Sequence, residues 1–143
     1  MNAKEYLMEI KRARSRITAL QEQIEMLRAD AENIGISLDG MPRGQSKTSF
    51  EDIAIQLAEC ESKLTAELSA LWSKQMEAIL ILEMLTPKHR TILTEYYIKD
   101  KTWERVAYEQ GYSWRHCYRL HGYALAELEG VLNDTSNQHA GQR

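Results

Sequence analysis

The sequence predicts an all-α fold, a long antiparallel helical hairpin followed by a compact C-terminal module of short helices. Three observations carry this. Apolar residues recur at heptad spacing through the first 34 positions. A segment holding Gly35, Gly40, Pro42 and Gly44 then separates two apolar-periodic stretches of similar length. Finally, eight of the eleven aromatic residues fall between positions 96 and 123, after a front half rich in Leu and Ile.

The first helix follows from its seam. Ala3, Ile10, Ile17, Ile24 and Ala31 occupy one heptad position, and Tyr6, Ala13, Leu20, Leu27 and Ile34 the other. Lys11, Arg12, Arg14, Arg16, Glu22, Glu25 and Arg28 surround it as a solvated face. The helix is expected to stop near Gly35, with the loop spanning about 35–48. Thr48 and Ser49, each three residues before an acid, Glu51 and Asp52, form a capping-box pattern for the second helix. Its seam reads Phe50, Ile53, Leu57, Cys60, Leu64, Leu68, Leu71, Ala78, Leu82 and Leu85. Residues 1–85 are thus the hairpin. Gly40, Gly44, Lys47 and Thr48 do not make a phosphate-binding loop, because the glycine spacing is one residue short and lysine does not follow the second glycine.

Composition bounds the rest. The 143 residues suffice for about one domain and are 43% hydrophobic, too apolar for a disordered chain. No apolar run approaches the ~20 residues that cross a bilayer, and charge at Lys4 and Glu5 stands where a signal peptide has its apolar stretch. The expectation is a cytoplasmic protein with no membrane partner. Cys60 and Cys117 match no zinc or redox spacing and are expected to be reduced and buried. Net charge is −3, yet residues 86–123 carry seven basic and four acidic side chains against ten and fourteen in residues 1–85. Acidity belongs to the hairpin; the aromatic module is basic.

Within that module, residues 86–132, Thr86 and Pro87 start a short helix, since proline at the first position loses no hydrogen bond. Leu93, Tyr96 and Tyr97 give it a buried face. Thr102 caps a second helix and Ser113 a third. Ala107 supplies the small residue at a helix crossing, and Gly111, four residues later, the position able to take a positive φ. Val106 and Tyr112 flank the pair, and Cys117 and Leu120 form the inward stripe of the next helix. This is the pattern of a helix-turn-helix. It leaves Trp114, Arg115, His116, Tyr118 and Arg119 outward, with no acid from Gln110 to Leu125. Such a face suits the major groove of duplex DNA. The tail 133–143 is polar and is expected to fray.

The stretch from Leu85 to Ile98, then Thr102 to Ala107, Gly111 to Ser113 and Arg115 to His121 with Ala124 and Leu125, resembles region 4 of bacterial sigma factors. The whole chain, over roughly residues 3–130, is similar to a phage and prophage family of unknown function related to phage late-gene activators, including its Gly40-Met41-Pro42-Arg43-Gly44 loop. The resemblance implies that Trp114, Arg115 and Arg119 read bases while His116 and Tyr118 contact phosphate. Ser113, Thr102, Lys101, Arg105, Lys88 and Arg90 are further candidates for the DNA backbone. Trp114 departs from the usual polar residue, which argues for a target other than a −35 element, and Gln110 stands where the turn normally buries a leucine. Nothing resembles the promoter-melting region of a complete sigma factor.

Plainer readings accompany these. Trp114 and Tyr118 can pack on neighbouring helices instead of reaching DNA. Trp103 and Tyr108 are expected to be structural. Cys117 and His121 sit at i and i+4, but the cysteine occupies the buried position of the motif and no further ligand is near, so no metal is expected. No cofactor is expected, and no nucleophile–base–acid arrangement suggests an enzyme. The expectation is a DNA-binding transcriptional regulator, with host RNA polymerase as a candidate partner and homodimerisation through the hairpin open. Two modules so paired would read half-sites about 34 Å apart. The alternatives are a small terminase-like packaging protein and a protein-interaction module for RNA polymerase.

Overall fold

The computed structural model describes residues 2–37 and 43–140, all of whose regular structure is helical. Five α-helices follow in order: α1 (Ala3–Ser37), α2 (Arg43–Leu82), α3 (Pro87–Leu93), α4 (Trp103–Gln110) and α5 (Trp114–Ala140), with a π-helical turn at Thr94–Ile98 after α3. Among the described residues no helix is long and apolar enough to cross a membrane. The Gly40–Pro42 part of the expected loop lies outside the described residues.

Two boundaries differ from the sequence reading. Helix α2 is formed from Arg43, so Thr48 and Ser49 lie within it and do not cap it. In the sequence a proline, Pro42, immediately precedes Arg43, a residue type that signals helix starts. Helix α5 continues through 133–140, where a frayed tail was expected. No glycine or proline follows Gly130 before Ala140, so nothing in the backbone stops it.

The chain divides into two compact units, and the division cuts α1 and α2 rather than falling at 85–86. One unit is Ala13–Leu71. There Ile24, Leu27 and Cys60 are buried, flanked by Ile53, Leu57 and Leu64. Arg16 pairs with Glu67 at 3.4 Å and Arg28 with Glu61 at 3.1 Å, in opposite chain order on the two segments. Phe50 and Leu68, both expected in the seam, are instead 45% and 44% exposed. Leu68 stands one residue past the heptad position set by Ile53 and Cys60; Glu67 occupies that position and is the partly buried one, paired with Arg16.

The other unit joins Met1–Arg12 to Trp72–Arg143. Ala3, Tyr6, Leu7 and Ile10 are buried in it, as are Ala78, Leu82, Leu85, Ile92, Leu93, Tyr97, Val106, Ala124 and Leu128. Leu7 is off the heptad seam yet fully buried, so the apolar face of α1 widens at this end. The physical reason is a second neighbour: Lys11 lies 3.6 Å over the ring of Tyr96 and 3.5 Å from Asp100. Lys74 approaches Glu9 at 3.9 Å, tying α2 to the same end of α1.

Helix α5 packs on both α3 and α4. Thr86 precedes α3 as expected, but its hydroxyl makes no cap within its own helix. Its N–H and Oγ1 instead donate to Glu127 at 2.7 and 2.8 Å, and His89 Nδ1 sits 3.3 Å from the same carboxylate. Glu127 therefore serves as a cap from a distant helix, where a negative charge meets the positive end of α3. The Thr86 N–H and hydroxyl, with His89 beyond them, hold the Glu127 carboxyl below its ordinary range. A lowered folded-state value contributes stability that is complete above the ordinary carboxylate range and lost as pH falls through the lowered one. Glu127→Gln is expected to cost about 1 kcal/mol at neutral pH and to flatten the acid limb of the stability curve, measured by urea unfolding across pH.

Candidate nucleic-acid interface

The turn between α4 and α5 forms as the residue types require. Thr102 Oγ1 accepts from the N–H of Arg105 at 3.2 Å, capping α4. Gly111 ends α4 with φ +69°, its N–H and that of Tyr112 returning to the last turn. Ser113 Oγ accepts from the N–H of His116 at 3.1 Å and caps α5. A Cβ on Gly111 would meet open space, so any cost of substitution comes from the backbone alone. Gly111→Ala is expected to lower stability by about 1 kcal/mol, read as a shift in the thermal midpoint, with the helical content unchanged.

Beneath the turn lies one apolar cluster. Ile92, Val106, Ala107, Cys117 and Leu120 are buried together, with Tyr96, Trp103 and Tyr112 packed around them. Cys60 and Cys117 are both free and buried, and burial pushes the Cys117 thiol up. Trp103 stacks on Tyr96 with centroids 3.9 Å apart. Tyr97 and His121 meet at 2.8 Å between Oη and Nε2. Burial pushes the Tyr97 phenol up to about 12 and the His121 imidazole down to about 4. The phenol therefore donates to a neutral imidazole. Among the described residues no group of three or more His, Cys, Asp or Glu side chains is gathered where it could hold a metal ion.

The outer face of α5 is the opposite in character. Trp114 is 59% and Tyr118 71% exposed, and Arg115, His116 and Arg119 are also exposed. Trp114, Tyr118 and Gly122 make one row at i, i+4 and i+8, while Arg115, Arg119 and Tyr123 make the adjacent row. Trp114, Arg115 and Tyr118 line a shared surface hollow. The inner edges of Trp114 and Tyr118, with Trp103 and Cys117, enclose a small cavity of about 70 Å³. The two aromatics thus rest on the core and face solvent at once. His116 packs edge-on against Tyr112 with centroids 4.7 Å apart, which fixes its ring at the side of the stripe.

The remaining cations are arranged less simply. Lys101 reaches Glu109 at 2.6 Å and also pairs with Glu95, and Arg105 reaches Glu109 at 2.8 Å. Lys101 and then Arg105 hold the Glu109 carboxyl below its ordinary range, while Glu109 and Glu95 raise the Lys101 ammonium. Phosphate at these two cations would compete with carboxylates. Arg90 is half-buried beside Glu83, Thr94, Glu95 and Lys99, away from the α5 stripe. Lys88 is exposed in the first turn of α3. Thr86 touches Glu127, thirteen residues past Trp114, so Lys88 sits about 20 Å further along α5 than the stripe begins.

Sequence reasoning missed two features. Tyr108, expected to be structural, is 87% exposed on α4. The π-helical turn at Thr94–Ile98 closes with the Lys99 N–H on the Thr94 carbonyl at 2.9 Å, and Asp100 then takes φ +58°. Such turns widen a helix by one residue, and here the adjacent Tyr96 and Tyr97 both reach His121 of α5, Tyr96 also stacking on Trp103. The adjacent Tyr-Tyr pair was the available signal, because an ordinary turn points neighbours about 100° apart. No protein-family model, curated protein or solved structure matches this chain.

Proposed function

We propose that the chain is a sequence-reading DNA-binding protein whose α4–turn–α5 segment acts as a helix-turn-helix, with the first two turns of α5 in the major groove. One observation carries the reading. An exposed stripe of Arg115, Arg119, Trp114 and Tyr118 opens a helix that is held from behind by a buried cluster, and no carboxylate falls between Gln110 and Leu125. Arg115 and Arg119 read base edges, Arg being the commonest specific partner of guanine O6 and N7. Trp114 contributes an apolar contact at the same depth, and His116 and the Ser113 cap meet the flanking phosphates. Lys88 serves a phosphate further along the groove, while Lys101 and Arg105 are secondary, being held by Glu95 and Glu109.

The antiparallel pairing of α1 with α2 reads as a helical hairpin that carries this module. Together with the likeness to region 4 of sigma factors, it supports a phage-type transcriptional regulator acting in a bacterial host, in which the module meets DNA alone or beside RNA polymerase. The test is selection of bound sequences from random duplex DNA by the full chain at two salt concentrations. Enrichment of one motif, with affinity falling steeply as salt rises, is expected; no shift of DNA even at low salt overturns the reading in favour of a protein-interaction module.

A further inference from the structure

The exposed side of α2 in the unit with α3 to α5 has an unusual composition. Trp72, Met76, Leu80 and Met84 are 67%, 42%, 62% and 68% exposed. They recur every fourth residue, so they stand side by side as one ridge, continued past Leu82 by the turn in which the Met84 N–H bonds the Ile81 carbonyl. The other exposed side chains of this stretch are Ser73, Glu77 and Glu83; none is basic. At side-chain areas usual for these residues the ridge offers roughly 500 Å² of apolar surface, the size at which a patch marks an interface. Within this stretch of α2 the exposed charges beside the ridge are carboxylates, Glu77 and Glu83, which sets it apart from the basic face of α5.

We propose that a second copy of this chain covers the ridge, by antiparallel crossing of the two α2 helices around a two-fold axis between Met76 and Leu80. The ridge is complementary to itself in that arrangement. Trp72 meets the partner's Met84, a flexible thioether against an aromatic ring, and Met76 meets the partner's Leu80. Glu77 falls opposite the partner's Ile79 and Glu83 opposite the partner's Ser73, so no like charges face each other. Two such ridges bury roughly 1,000 Å² in total, the lower bound of specific interfaces, and i±4 ridges interdigitate at about −50°. A parallel arrangement would instead set Trp72 against Trp72 and each glutamate against its own copy.

Sedimentation equilibrium of the full chain tests this independently of any DNA. Twice the 16.6 kDa chain mass is expected at micromolar concentrations. Leu80→Glu, at an exposed position, is expected to weaken association by at least about tenfold with circular dichroism unchanged. In the Ser73→Cys, Glu83→Cys double variant, oxidation is expected to give a covalent dimer. A wild-type chain that stays monomeric up to about 100 μM, a concentration that would populate even a micromolar dimer, overturns the proposal and leaves the ridge to a different partner. So does a dimer that Leu80→Glu leaves intact.

Discussion

Arg115→Ala is expected to weaken binding at the selected duplex site by about 10- to 100-fold, the equivalent of about 1–3 kcal/mol for one bidentate base contact. The loss should concentrate at one base pair. Re-selection with the variant is expected to relax the preference at that position and leave the others unchanged, while low-affinity binding to unrelated DNA at low salt changes little, since most phosphate contacts remain. Arg115 is exposed and forms no part of the buried cluster, so the fold should not move with it. An unchanged motif and affinity would remove Arg115 from base reading. Equal weakening on every sequence would make it a phosphate contact instead.

The second large effect is on stability. His121 is held neutral in the folded chain, its value pushed down to about 4 by burial and, beyond that, by the charge of Lys4. Tyr97 and Tyr96, Trp103 and the Lys11 ammonium over Tyr96 line the same region, and none supplies a negative charge that would favour imidazolium. The unfolded chain takes up a proton near 6.5, its ordinary value, and the folded chain only near 4. Between these the unfolded state binds more protons, so stability is complete above 6.5 and falls as pH drops toward 4. The whole shift corresponds to on the order of 3 kcal/mol, and water access to part of the ring reduces this to about 2. Urea unfolding at pH 7, 6 and 5 is expected to show most of that fall ahead of the carboxylates. His121→Gln retains an acceptor for the Tyr97 hydroxyl and should remove the slope; an unchanged slope would assign the pH dependence elsewhere.

Much of the molecule was legible from residue order. The α4–turn–α5 segment needed only local rules, because each requirement is met within the twelve residues 102–113: a cap at Thr102, a small residue at Ala107, a positive φ at Gly111 and a cap at Ser113. The outward set on α5 followed from the same register, and all five residues are exposed. Thr86 shows where such rules stop. It precedes α3 as expected, yet its hydroxyl is claimed by Glu127, forty-one residues away, because a carboxylate accepts two hydrogen bonds there and an internal cap offers one. Lys101 differs for a similar reason: Glu95 and Glu109 both reach it only once the π-helical turn and the left-handed Asp100 bring the chain round. The Arg105–Glu109 pair is instead an i,i+4 contact within α4, of a kind that spacing alone announces.

Sequence by itself determined the all-helical class, the start of α3, the bounds of α4, the turn between α4 and α5, and the basic, carboxylate-free character of the exposed face. These depend on contacts within one or two helical turns, where residue type and spacing suffice. Tertiary structure alone decided that the first twelve residues and the end of α2 belong with the aromatic module, with Lys11 seated on Tyr96. It also decided that Trp72, Met76, Leu80 and Met84 face outward although they read as core residues by type. A helix presents about one face per neighbour, and an amphipathic stretch does not say how many neighbours it has; the count is fixed only when the distant segments meet.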